Sequence, residues 1–240
     1  IGAVDGRQSQ AQVRSLAEVI GPLLDSLESG DTGPTGVPTG FADLDDLTDG
    51  LRPGELWVVG ARPAIGKSTF GLDMCRAASI RFGMPSVLFS LEMTCAEVAM
   101  RLVAAEARVS HQNLRTRKVD QADWGRIGSR LASITEAPLF IDDTVGMTVG
   151  QIRMKAKRLV ETSGVRQVVV DYLQLVKSGK NIEPRHLEVG EVAEQLKNMS
   201  KELGLPVVAL AQLNRSTEQR AEKRPQMSDL RESGAIEAHA

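Results

Sequence analysis

Apolar residues first fall into register at Leu16, Val19, Ile20, Leu23, Leu24 and Leu27, in steps of three and four that predict one amphipathic helix. Ser15 with Glu18 three positions later matches a capping box at its start, and Gly30 marks its stop. Residues 30–40 read Gly-Asp-Thr-Gly-Pro-Thr-Gly-Val-Pro-Thr-Gly, a Pro/Gly-rich linker that cannot prolong the helix. A lone helix of this length is marginal in water, so its apolar stripe needs a cover. The tether favours a neighbouring copy over the helix's own domain as that cover.

From residue 56 onward the pattern changes to short apolar runs alternating with amphipathic stretches. Strands are predicted at Leu56–Gly60, Ser86–Leu91, Leu139–Ile141, Gln167–Asp171 and Val207–Ala211. Helices are predicted near Lys67–Phe82, Cys95–Ala107, Gln121–Thr135, Val149–Ser163 and Leu187–Leu203. Continuously apolar strands separated by helices indicate a parallel sheet covered on both faces, an α/β fold. The stretches around Lys177–Arg185 and Leu213–Ile236 are long, charged and poor in apolar residues, and loops of that kind are usually functional or mobile.

Composition narrows this only a little. The 240 residues carry 29 Lys+Arg against 31 Asp+Glu, a net charge of −2, with 42% hydrophobic residues. These values exclude a disordered, collagen-like or disulfide-scaffold chain. The balance gives no bulk attraction to nucleic acid, and five Phe, two Trp and one Tyr are too few for a base-stacking surface. Any nucleic-acid role is therefore local or built from several chains. Cys75 and Cys95 stand in no metal or redox spacing and are expected to pack as small apolar side chains. No apolar run reaches the roughly eighteen residues of a membrane span and no leader is visible, so a cytoplasmic location is expected. Because the chain starts at Ile1 and stops at Ala240 without a tapering tail, we read it as a portion of a longer protein.

The chemistry concentrates after the first strand, at Gly60-Ala61-Arg62-Pro63-Ala64-Ile65-Gly66-Lys67-Ser68-Thr69. This matches the phosphate-loop pattern G-x-x-x-x-G-K-[ST], except that Ala61 stands where the first Gly belongs. Loop amides and the following helix's first turn would face phosphate, Gly66 permits close approach, and Lys67 places a point charge on the β/γ oxygens. Ser68 is the expected Mg²⁺ ligand, with Thr69 beside it. The ligand implied is a nucleoside triphosphate with Mg²⁺.

Such a site also needs an acid at a strand end. Val168-Val169-Val170-Asp171 and Leu139-Phe140-Ile141-Asp142-Asp143 both offer one at the carboxyl end of an apolar run. The β-branched run before Asp171 reads as the more central strand, but the residues alone leave the choice open. Glu92, directly after Ser86–Leu91, is placed to deprotonate water, although a helix N-terminus also favours an acid there. Gln212, ending Val207–Ala211, is a neutral donor that could sense a γ-phosphate.

These and further residues resemble the replicative DNA helicases of the DnaB type, which are RecA-like ATPases. The resemblance is carried by Pro38-Thr39-Gly40-Phe41-Ala42-Asp43-Leu44-Asp45, Gly50-Leu51-Arg52-Pro53-Gly54-Glu55-Leu56, Leu88-Phe89-Ser90-Leu91-Glu92-Met93, Val170-Asp171-Tyr172-Leu173-Gln174-Leu175, Gln212-Leu213-Asn214-Arg215 and Ser228-Asp229-Leu230-Arg231-Glu232-Ser233-Gly234. The family commonly carries Ala at the position of Ala61. The resemblance implies ATP and Mg²⁺ held by residues 62–69 (Arg62, Pro63, Ala64, Ile65, Gly66, Lys67, Ser68 and Thr69) with Asp171. Ser68 and Asp171 would serve the metal, Asp171 as the Walker B acid. Glu92 becomes the catalytic base, Lys67 the phosphate lysine and Gln212 the γ-phosphate sensor. Arg231, Glu232 and Gly234 fall in a DNA-binding loop whose amides hold single-stranded DNA. The helix over 15–28 is similar to a linker helix that docks on the next subunit of a homohexamer. Primase and a helicase loader are implied as partners.

The implied organisation is a linker helix and Pro/Gly-rich linker over 1–40, then a RecA-like ATPase domain over 41–240. After Ile236-Glu237 the chain departs from the family pattern with Ala238 and His239. The carboxyl-terminal strands and arginine finger of the family would lie beyond Ala240, and such a finger contributes about 10³–10⁵ in rate. The segment by itself is thus expected to bind nucleotide with little hydrolysis. Two rival readings are a RecA-like repair or recombination ATPase, which would not be expected to carry the 228–234 segment, and a non-catalytic ATP-binding assembly factor.

Overall fold

The computed structural model describes residues 15–28, 36–180, 182–183, 185–213, 224 and 226–230. The chain divides into two compact units, Ile1–Pro34 and Thr35–Ala240. In the first, helix α1 (Leu16–Glu28) begins at a capping box: Glu18 N–H donates to Ser15 Oγ at 3.4 Å and Ser15 N–H donates to Glu18 Oε2 at 3.0 Å. Its apolar side chains Leu16, Val19, Ile20 and Leu24 are exposed.

The second unit is built on five strands: β1 (Leu56–Ala61), β2 (Ser86–Ser90), β3 (Leu139–Asp142), β4 (Gln167–Asp171) and β5 (Val207–Gln212). All pair in parallel in the spatial order β1-β5-β4-β2-β3, as the alternation of apolar runs and helices requires. The helices are α2 (Ala42–Thr48), α3 (Lys67–Arg76), α4 (Cys95–Ala107), α5 (His111–Thr116), α6 (Gln121–Thr135), α7 (Val149–Ser163) and α8 (Arg185–Leu203). Successive strand residues point to opposite faces and so divide the core. Val87, Phe89, Val168 and Val170 join Ile152 of α7 and Leu196 of α8 on one face. Leu88, Val169, Val208 and Leu210 join Leu72 and Met74 of α3 and Val98 and Leu102 of α4 on the other.

The predicted helix over Lys67–Phe82 is α3 followed by a wider turn over Ala77–Arg81, where Phe82 N–H reaches back five residues to the Ala77 carbonyl. Cys75 is buried, which pushes its thiol up to about 12 and leaves it inert. Cys95, by contrast, is only half-buried, at the start of α4.

The Pro-Thr-Gly-Phe segment belongs to this second unit, where it acts as a clasp. Val37 and Leu51 form an antiparallel bridge. Asp45 Oδ1 accepts from Thr39 N–H at 2.8 Å and from Thr39 Oγ1 at 2.7 Å, which satisfies a fully buried threonine. Phe41 then stacks on Phe70 of α3, ring centroids 4.7 Å apart. Gly40 makes the turn at φ 86°, and a Cβ there would lie 2.4 Å from Ala77 Cβ. Gly40→Ala combines overpacking, about 1–3 kcal/mol, with about 1 kcal/mol or more for the left-handed backbone. A Tm lower by roughly 5–10 °C in calorimetry is expected; an unchanged Tm would mean the clasp adds no stability.

Candidate active site

In parallel sheets, ligands gather at the carboxyl ends of the strands. Register places Ala61 of β1 beside Gln212 of β5, Leu210 of β5 beside Asp171 of β4, and Asp171 beside Ser90 of β2. Four separate sequence segments thus reach one edge. After β1 the chain turns through Ala64 at φ 62° and Gly66 at φ 103° into α3. Phe70 N–H closes on the Gly66 carbonyl at 2.9 Å. The amides of Lys67 and Ser68 lie before that bond and have no acceptor within the helix. A ring of unsatisfied donors at a helix N-terminus suits phosphate.

Lys67 Nζ sits at the centre of the site. It lies 3.0 Å from Asp171 Oδ1, 3.7 Å from Glu92 Oε2 and 3.7 Å from the centroid of the Tyr172 ring. The lysine side chain is 10% exposed and that of Asp171 is 2% exposed, while Glu92 is 53% exposed. Despite the 3.0 Å approach, neither Lys67 Nζ nor Asp171 Oδ1 has an aligned hydrogen-bond partner. A buried ammonium and carboxylate held together by charge alone retain their hydrogen-bonding capacity for a further group. This fits a nucleotide phosphate at Lys67 and a divalent cation near Asp171. Burial, and then the charges of Glu92 and Asp171, hold the Tyr172 phenol above its ordinary value. The ring stays neutral beneath the lysine.

Glu92 is carried by the turn between β2 and α4. Ser90 Oγ donates to the Met93 carbonyl at 2.7 Å and accepts from Met93 N–H at 3.3 Å, bracing that turn. Thr94 and Glu97 form a capping box at the start of α4. Asp143 Oδ2 accepts from Cys95 N–H at 2.8 Å, so this acid is committed to α4. Asp142, on edge strand β3, pairs with Lys155 of α7 and accepts from Thr144 N–H at 3.0 Å. Burial raises the Asp142 carboxyl, but those two partners outweigh it and bring it below the usual carboxylate range. The two acids left open by the sequence thus sit in different places: Asp171 beside Lys67, Asp142 beside Lys155.

A cleft of about 490 Å³ is lined by Arg62, Pro63, Ala64, Gly66, Lys67, Ser68, Thr69, Glu92 and Gln212. Of the expected nucleotide residues, Ile65 is exposed and does not line the cleft, and Asp171 lies buried behind Lys67. Arg101 of α4 also lines the cleft, its Nη1 3.5 Å from Thr69 Oγ1. Neither Arg101 nor Tyr172 was singled out from the sequence, because only the packing of α4 and β4 against the phosphate loop brings them in. Arg231, Glu232 and Gly234 lie outside the described residues. Among the described residues no helix is long and apolar enough to cross a membrane.

The model of the DnaB-like helicase C terminal domain family matches residues 36–240. The chain belongs to that family. Replicative DNA helicase DnaB of Leifsonia xyli subsp. xyli (strain CTCB07) is 49% identical over 243 residues, covering 100% of this chain and 53% of the relative. The DnaB helicase of Geobacillus stearothermophilus is 40% identical over 241 residues, covering 99% of this chain and 53% of its own length. The chain therefore spans about half the length of these curated relatives. Among solved structures, the ATPase domain of G40P is similar with a TM-score of 0.90 at 34% identity, covering 95% of this chain and 82% of that one. A DnaB-like replicative helicase whose structure was described with its interactions with primase has a TM-score of 0.85 at 34% identity, covering 95% of this chain and 55% of that one. The expected RecA-like α/β fold and the DnaB resemblance are both borne out.

Proposed function

We propose that this chain is the motor portion of an ATP-driven replicative DNA helicase. The observation that carries the reading is the convergence of Lys67, Asp171, Glu92 and Gln212 at one sheet edge, on a chain of the DnaB-like family. The ligand is ATP with Mg²⁺: Lys67 and the loop amides would hold the phosphates, and Ser68 and Asp171 the ion. When bound, the ion would neutralise charge on the phosphates. Glu92 lies nearest to solvent of the two carboxylates and would accept the proton of an attacking water. Gln212 would donate to the γ-phosphate and report its presence to strand β5.

The substrate is single-stranded DNA, gripped through its backbone by Arg231, Glu232 and Gly234. Backbone contact is independent of sequence, which a translocating motor requires. A chain of net charge −2 can hold a polyanion in this way when amides from several copies encircle the strand. The assembly is a homohexamer closed by helix α1, whose exposed Leu16, Val19, Ile20 and Leu24 would be covered by the next copy. Primase and a helicase loader are the proposed partners, and the cytoplasm the proposed location. In ATPase assays on the intact protein, single-stranded DNA should accelerate turnover; a rate indifferent to DNA would contradict the reading. Deleting residues 1–30 should lower the oligomer mass in light scattering, and an unchanged mass would remove the docking role of α1.

A further inference from the structure

Gln212 is the last residue of β5, and the ladder between β4 and β5 stops at Asp171 opposite Leu210. Two residues of β5 thus run past the end of β4. In a parallel strand the N–H and C=O of one residue point to the same neighbour, and the next residue's point to the other side. Leu213 N–H accordingly turns to β1, donating to the Ala61 carbonyl at 3.0 Å. Gln212 faces the other way, where the backbone of β4 has already left the sheet.

The gap is filled by a side chain. After Asp171 and Tyr172 the chain makes a single 3₁₀ turn, Leu173–Leu175, anchored by fully buried Leu173. From that turn Gln174 Nε2 donates to the Gln212 carbonyl at 2.9 Å, and Gln174 Oε1 accepts from Gln212 N–H at 3.2 Å. A primary amide carries the same donor and acceptor pair as a peptide group. The Gln174 side chain therefore stands in for the backbone residue that β4 lacks. Asn would be one methylene short, and a carboxylate would have no donor.

We propose that Gln174 is a positioning residue: it locks both backbone polar groups of Gln212 and so aims the Gln212 side chain into the nucleotide cleft. The inference rests on the reading of Gln212 as the γ-phosphate sensor. By the same two bonds it ties the root of the segment leading to Lys177–Arg185 to the root of the segment after Leu213. Strand β4, which ends in Asp171, and strand β5, which ends in Gln212, are thereby made to move together.

The test uses the intact protein and reads the clamp apart from catalysis. In the nucleotide-free state, Gln174→Leu should accelerate hydrogen exchange of the Gln212 amide by about tenfold, the loss of one ordinary hydrogen bond. In DNA-stimulated ATPase assays it should lower kcat by about tenfold with KM within about twofold. Gln174→Glu supplies the diagnostic pH profile. Protonated, its carboxyl reproduces the amide's donor and acceptor; ionised, it turns a carboxylate on the Gln212 carbonyl. Its turnover relative to the parent should match at low pH and fall about tenfold as pH rises through the titration of the introduced acid. A pH-independent ratio, or unchanged exchange at Gln212 in the Gln174→Leu variant, overturns the proposal. Gln212→Ala separates the two readings: parental turnover in that variant removes the sensor role, while the exchange measurement still decides the clamp.

Discussion

Lys67→Ala is expected to abolish ATP binding, with affinity falling about a hundredfold or more in an equilibrium titration with a fluorescent nucleotide analogue. The ammonium is nearly buried, lies 3.0 Å from Asp171 and 3.7 Å from Glu92, and has no aligned hydrogen-bond partner. Its binding capacity is therefore uncommitted. A hydrogen bond to a charged group contributes about 1.5–3 kcal/mol, and 2.7 kcal/mol is already about a hundredfold. The alanine also leaves Asp171 facing incoming phosphate without its cation, so repulsion adds to the lost attraction. Lys67→Arg preserves the charge and tests geometry, because a planar guanidinium cannot replace a compact ammonium in a closed loop. It should bind nucleotide more weakly than the parent and more tightly than the alanine variant. Parental affinity in a folded Lys67→Ala protein would sink the phosphate-loop assignment.

Glu92→Gln is expected to leave nucleotide affinity within a fewfold of the parent and to lower turnover by about 10²–10⁴, the usual contribution of a general base. The reason lies in exposure and position. Glu92 is 53% exposed and lines the cleft, whereas Asp171 is 2% exposed and sits behind Lys67. Only Glu92 is placed to meet a water molecule entering with the nucleotide. The amide keeps size and polarity but cannot take a proton. Rapid-quench single-turnover kinetics isolates the chemical step, and parental rates there would contradict the role as base.

Much of this site was legible in the sequence because it is local. The phosphate loop and Glu92 follow apolar strands β1 and β2, and Asp171 and Gln212 end apolar strands β4 and β5. A parallel sheet delivers every such strand end to one edge. The strand boundaries moved by a single residue or less for the same reason: continuous apolar runs flanked by turns have sharp ends. Helices α2 and α5 were not legible, since seven and six residues span too few turns for a 3.6-residue period to show. Arg101, Tyr172 and Gln174 escaped notice as site residues because their importance depends on what packs beside them. The choice between Asp171 and Asp142 was open on local pattern alone. What separates their surroundings is non-local, Lys67 for one and Lys155 from α7 for the other.

The clasp formed by Thr39, Phe41 and Asp45 was legible only as a motif. Its physical content is the seating of the linker's last residues on α3, the helix that begins at the phosphate loop. Phe70, on which Phe41 stacks, directly follows Thr69 and is three residues from Lys67.

The most direct test of the central claim is strand separation of a forked DNA duplex by the intact protein, with ATP and Mg²⁺ and with Glu92→Gln measured alongside. The account predicts ATP-dependent unwinding by the parent and none by the variant, with both binding the single-stranded arm. Unwinding that persists in Glu92→Gln, or an intact protein that hydrolyses ATP on the fork without separating its strands, would contradict it.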